Sequence, residues 1–159
     1  MAASRYLAAA QKAIKQVANH PTLKNYSTTI LSPLKVVGAT DEGVIKFNWK
    51  VEEKHLTPGG GLHGGLTAGI IDLTHGIAVS DCTQTATTLE LNINYMRYVP
   101  NNELLDIESR VAKQGSRIAF LETTIMDSKG RIIATGKQTA MLVDVSKAYE
   151  FSQEVLSGA

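Results

Sequence analysis

Apolar residues along the chain follow two periods, and these lay out its elements. From Tyr6 to Ala18, Leu7, Ala10, Ile14 and Val17 recur at spacings of three and four, which predicts an amphipathic helix. Asn19-His20-Pro21 is expected to stop it. Thr28 to Val37 looks strand-like, although Pro33 demotes its middle to an edge or a bulge. Val44 to Val51 alternates apolar and polar residues, as a half-buried strand does. The cleanest alternation comes later: Leu89, Leu91, Ile93 and Tyr95 face one way, and Thr88, Glu90, Asn92 and Asn94 the other. Leu105, Ile107, Ser109 and Val111 mark another strand, and Arg117 to Met126 the next. Arg131 to Val143 is the last, with the small residues Ala134, Gly136 and Ala140 on one face. Turn chemistry separates these segments at Thr40-Asp41-Glu42-Gly43, Glu52 to Gly61, Pro100-Asn101-Asn102, Lys113-Gln114-Gly115-Ser116 and Asp127-Ser128-Lys129-Gly130.

The stretch from Leu62 to Ser80 stands apart. It opens on a glycine-rich turn, and Leu66, Ile70, Leu73, Thr74 and Ile77 then recur at helical spacing. Ala68, Gly69, Ile71, Gly76 and Ala78 make the other faces apolar or small, so the helix is expected to be buried all round. Gly69 and Gly76 each weaken it by about 1 kcal/mol relative to alanine, which makes sense where a sheet approaches closely. In its middle sits one carboxylate, Asp72. Burial of an unpaired charge is costly. The acid is therefore either held by a polar partner or kept for chemistry, and desolvation there raises a carboxylate pKa, as a general base requires.

The order is thus helix, two strands, buried helix, four strands. Strands joined by short turns pair antiparallel, and a sheet laid on one apolar helix is an α+β domain. The expected domain spans residues 1–145, with the N-terminal helix included, followed by a tail, 146–159, of no clear period. An apolar fraction of 43% and a charged fraction of 19% fit a soluble globular protein. A net charge of +1 supplies no field for nucleic acid. No apolar run reaches the roughly 18 residues of a bilayer span, so no integral membrane protein is expected. One cysteine, Cys82, excludes an internal disulfide and fits a reducing compartment. Residues 1–40 contain no Asp or Glu but carry Arg5, Lys12, Lys15, Lys24 and Lys35. That start reads as a surface helix packed on the domain in preference to a mitochondrial presequence, leaving cytoplasm or mitochondrion as the expected location.

Several chemistries are disfavoured. Gly59-Gly60-Gly61 lacks the Lys-Ser/Thr of a phosphate-binding loop, and no Gly-x-Ser-x-Gly elbow exists. His55, His63, Asp72 and His75 have no known zinc spacing, and Cys82 has no well-spaced base. His75, one turn after Asp72, is read as pairing with a polar group at the helix interface in preference to a proton shuttle or metal ligand.

Leu62-His63-Gly64-Gly65 opening the helix, Asp72 nine residues after the histidine, Asn92-Ile93-Asn94-Tyr95-Met96, Lys113-Gln114-Gly115 and Gly136-Lys137 together resemble the hotdog-fold acyl-CoA thioesterases, in their PaaI-like and THEM-type branch. The resemblance runs from the N-terminal helix to about Val143. It implies a six-stranded antiparallel sheet wrapped around a central helix, a homodimer or homotetramer, an acyl-CoA substrate and no cofactor or metal. It further implies that the Gly64 N–H polarises the thioester carbonyl while Asp72 of the neighbouring subunit activates or orients water. His63 shapes the turn, and Thr88 stands where a serine often helps place the water. Thr57 stands where relatives often carry an asparagine that contacts the water or the carbonyl. Gly65, Arg97, Lys113, Gly115, Ser116 and Arg117 are the candidates for CoA, the three cations for its phosphates. Independently of family, the unpaired N–H groups of a helix start suit a developing oxyanion. The Thr57 departure keeps a second class open: a non-catalytic hotdog module that binds an acyl chain or a protein partner.

Overall fold

The computed structural model describes residues 2–18, 26–79 and 84–144. The helix stop at Asn19-His20-Pro21, Cys82 and the tail 146–159 lie outside the described residues. Helix α1 (Ala2–Ala18) buries Ala10 and Ala13 and rests Ile14 on the core, so it packs on the domain. Helix α2 (Tyr26–Leu31) follows, then β1 (Lys35–Ala39) and β2 (Ile45–Lys50). After the loop comes α3 (Gly64–Val79), then β3 (Gln84–Tyr95), β4 (Leu104–Gln114), β5 (Ile118–Met126) and β6 (Ile132–Asp144).

All six strands form one antiparallel sheet in the order β1-β2-β4-β5-β6-β3. The sheet contacts α3 through β3, β4, β5 and β6, which is the wrapped arrangement the sequence suggests. Two expectations are corrected. The short connection at Pro100-Asn101-Asn102 does not join paired strands: β4 pairs with β2 and β3 with β6, because β4 continues the β2 ladder through Val51 N–H to the Glu103 carbonyl. Residues 28–31, expected in a strand, are helical. Thr28, Thr29 and Ile30 are β-branched, but burying Ile30 and Leu31 on the core outweighs that local preference. The Ile30 carbonyl also accepts from the buried Trp49 indole N–H at 3.0 Å.

The central helix is not covered on every side. Leu66, Ile70, Ile71, Thr74, His75 and Ile77 are buried, whereas Ala68, Gly69, Asp72, Leu73 and Gly76 are half-buried. The glycines play other parts than expected. A Cβ on Gly69 would meet Ile30 Cδ1 at 2.7 Å and Tyr26 Cε1 at 3.0 Å, so it is α2, not the sheet, that comes close. A Cβ on Gly76 would meet nothing within 4 Å. Sheet and helix come close at Gly136 of β6, where a Cβ would collide with Ile71 Cγ2 and lie 3.2 Å from its Cδ1.

Candidate active site

Helix α3 starts at a cap made by His63. Its carbonyl accepts from the Leu66 and Thr67 N–H groups, each at 3.0 Å, and its Nδ1 accepts from the Gly65 N–H at 3.0 Å. The imidazole thus does what a Ser or Asp usually does at a helix start. Two tyrosines brace the same turn: Tyr95 Oη donates to the Gly64 carbonyl at 3.0 Å and Tyr26 Oη to the Gly65 carbonyl at 3.2 Å. Among the described residues, no acceptor meets the Gly64 N–H. It is a free donor at the positive end of the helix. Gly65, by contrast, has its N–H committed to His63.

The preceding loop hangs on His55, whose buried ring lies 4.4 Å from that of Trp49. His55 Nδ1 accepts from the Glu52 N–H at 2.9 Å, and its carbonyl accepts from the His63 N–H at 3.0 Å. Thr57 sits within the turn so anchored, half-buried, with its N–H donating to the Gly61 carbonyl at 2.8 Å.

Two turns into α3, Asp72 belongs to a compact polar triangle. Thr88 Oγ1 donates to Asp72 Oδ1, Gln138 Nε2 donates to the same oxygen, and Gln138 Nε2 also donates to Thr88 Oγ1, all at 2.6 Å. Three elements meet here: α3, β3 and β6. Strict alternation places Thr88 on the face opposite Leu91 and Ile93, away from the helix. The ladder explains how it reaches Asp72. Thr88 pairs with Ala140 and Glu90 with Thr139, so Leu89 is an extra residue in β3. Such a bulge inverts the side-chain phase. Leu89 turns outward, while Ala86 on one side of it and Leu91 and Ile93 on the other all pack inward. Gln138 was missed by sequence reasoning although a signal existed: it shares the period-2 face of Ala134, Gly136 and Ala140, and a polar residue among small buried ones calls for a partner.

Not every candidate converges. Arg97, just past β3, donates its N–H to the Ile133 carbonyl near the start of β6. Lys113, Gly115, Ser116 and Arg117 form the β4–β5 hairpin, where the Arg117 carbonyl accepts from Leu142 N–H near the end of β6. Nine residues of strand separate those two β6 positions, roughly 30 Å. Arg97 is therefore at the end of the sheet beside the helix start, and the hairpin cations are at the other end. Within one chain they cannot hold one nucleotide together.

Beside the triangle lies His75, fully buried, with burial pushing its pKa from the ordinary 6.5 to about 4 against the opposing pull of Asp72, the Glu122 carbonyl and the Gln138 side chain. It is neutral in the fold and binds a proton in the unfolded chain at mildly acidic pH. Stability is then complete above about pH 6.5 and declines as pH falls towards 4, by about 3 kcal/mol in all. His55, also lowered by burial, adds in the same direction. Thermal melts between pH 7 and pH 4 should show that loss, and His75→Gln should flatten it; an equally steep profile in the variant would assign it to other groups.

Comparison with known proteins agrees with this architecture. Residues 59–134 match the model of the thioesterase superfamily. The chain is 33% identical over 117 residues to mouse acyl-coenzyme A thioesterase 13, covering 71% of this chain and 82% of the relative. It is 31% identical over 135 residues to the human protein of that name, covering 82% and 95%. The crystal structure of zebrafish thioesterase superfamily member 2 superposes with a TM-score of 0.75 at 30% identity, covering 86% of this chain and 98% of that one.

Proposed function

The chain belongs to the thioesterase superfamily, and we propose on that premise that it hydrolyses the thioester of acyl-CoA to free acid and CoA. The observation that carries this reading is the Asp72 triangle. Two donors hold one carboxylate oxygen, which leaves the other oxygen of a half-buried acid to take a proton from water. The free Gly64 N–H is the complementary part, a donor for the carbonyl oxygen as it becomes an oxyanion. His63 maintains the turn, Thr88 orients the carboxylate and the water, and the Thr57 hydroxyl takes the place of the family's asparagine.

Gly64 and Asp72 are eight residues apart, about 12 Å along a helix. A water and the carbonyl it attacks must lie about 3 Å apart. That separation favours a shared site, in which Gly64 of one subunit works with the partner's Asp72. The free outer edge of β3 and the open space at Gly76 support a homodimer or homotetramer. An antiparallel pair also resolves the split among the CoA candidates. It brings Arg97 and Gly65 of one subunit toward the Lys113, Gly115, Ser116 and Arg117 hairpin of the other.

Thiol release from a chain-length panel of acyl-CoAs tests the reading, together with light scattering on the same sample. Turnover by a dimer or tetramer is expected. Tight acyl-CoA binding without turnover would favour the non-catalytic module that Thr57 suggests. Turnover by a monomer would remove the shared site.

A further inference from the structure

Among the described residues, four buried side-chain polar atoms have no hydrogen-bond partner, and three of them lie together: both ring nitrogens of His75 and Oε1 of Gln138. Buried polar atoms are normally paired, so a cluster of unpaired ones beside a reactive group calls for a reason. The chemistry of Gln138 narrows it. Its amide NH2 faces the Asp72 carboxylate and Thr88. The reverse orientation would set a carbonyl oxygen against a carboxylate oxygen, so Oε1 must point away. It points into the interior, where Gln138 is 4% exposed and His75 is 0% exposed. The imidazole lies beside the Gln138 side chain and the Glu122 carbonyl without reaching good hydrogen-bond geometry to either. His75 is three residues after Asp72 on α3, so one rigid element sets the distance between the two.

We propose that His75 is a positioning residue. The N–H of its neutral ring donates to Gln138 Oε1, and this fixes the amide in the one orientation that holds Asp72 and Thr88. A small rotation of the ring closes that bond and satisfies two of the three unpaired groups at once. Hydrogen bonds in a chain polarise one another, so a donor at Oε1 also strengthens the amide N–H groups that grip the carboxylate. The relay runs from His75 through Gln138 to Asp72, with no contact between His75 and the substrate. It rests on Asp72 being the group that handles water in thioester hydrolysis.

The test compares His75→Gln with His75→Met in the full chain. The two side chains are similar in length and volume, and only Gln carries an N–H donor. Loss of one hydrogen bond to a charged network predicts that His75→Met lowers kcat about tenfold with KM for acyl-CoA unmoved, while His75→Gln stays within about threefold of wild type. In a Gln138→Leu background the two variants should be indistinguishable. Equal kcat for His75→Met and wild type, whatever the change in melting temperature, overturns the proposal. The wild-type protein gives a readout that no substitution disturbs: a slowly exchanging His75 imidazole N–H with a nuclear Overhauser contact to the Gln138 side chain. Absence of that contact also overturns it. If the wild-type chain turns over no acyl-CoA, the hydrolase reading fails by itself, and the N–H contact still decides whether His75 holds Gln138.

Discussion

Asp72→Asn is expected to fold and to lose about 10²–10⁴ in kcat, the usual contribution of a positioned acid–base group. KM for acyl-CoA should stay close to wild type. Asparagine keeps the shape of the side chain, and its carbonyl oxygen still accepts from Thr88 and Gln138, the two donors on Asp72 Oδ1. It cannot take a proton from water. A fall in kcat without a change in KM is the sign of an interaction made only in the transition state. An unfolded variant would make Asp72 a structural residue, and normal turnover would move the chemistry to another group. Kinetics on a sample checked by circular dichroism separates the three results.

Of the two glycines within the described strands, Gly136 should be the costly one to replace by alanine. The new Cβ would collide with Ile71 Cγ2, and Ile71 is fully buried on α3. That atom belongs to a β-branched side chain with little rotamer freedom in a helix, so it cannot swing aside. Sheet and helix must separate instead, at a cost of about 3 kcal/mol, or roughly 10 °C in Tm. Gly38→Ala is the control, since a Cβ there meets nothing within 4 Å. Comparable melting temperatures for the two variants would show that Ile71 repacks freely and that the close approach at Gly136 is not needed for the fold.

The legible parts of this fold are those governed by local rules. Alternation marked β2, β4, β5 and β6 to within a few residues, and the tight turns at 113–116 and 127–130 join strands that do pair. The helix start at His63-Gly64-Gly65 and the acid at Asp72 were readable because each breaks a local pattern. What escaped depends on contacts between distant segments. Nothing near Thr28 announces that Ile30 and Leu31 will be drawn into a helix by the core. The β3–β6 pairing joins residues 84–95 to 134–144, a separation no turn signal spans. Gln138 is visible only as an exception on a small-residue face, and its partner is 66 residues away. Arg97 and Arg117 look equivalent as cations near strand ends, yet they occupy opposite ends of one sheet.

The extra residue at Leu89 gives β3 something like a reading frame. Before it, even-numbered residues such as Ala86 and Thr88 look toward the helix; after it, odd-numbered ones such as Leu91 and Ile93 do. The Thr88 hydroxyl therefore reaches Asp72 through a count of residues as much as through an identity. Removing one residue at the bulge would leave Thr88, Asp72 and Gln138 all in the chain and still turn the hydroxyl outward. A relative could thus keep all three residues at matching positions and lack the site, and another could exchange Thr88 for a different hydroxyl and retain it. In this strand, kinship of function is carried by spacing, which a comparison of residue types alone does not see.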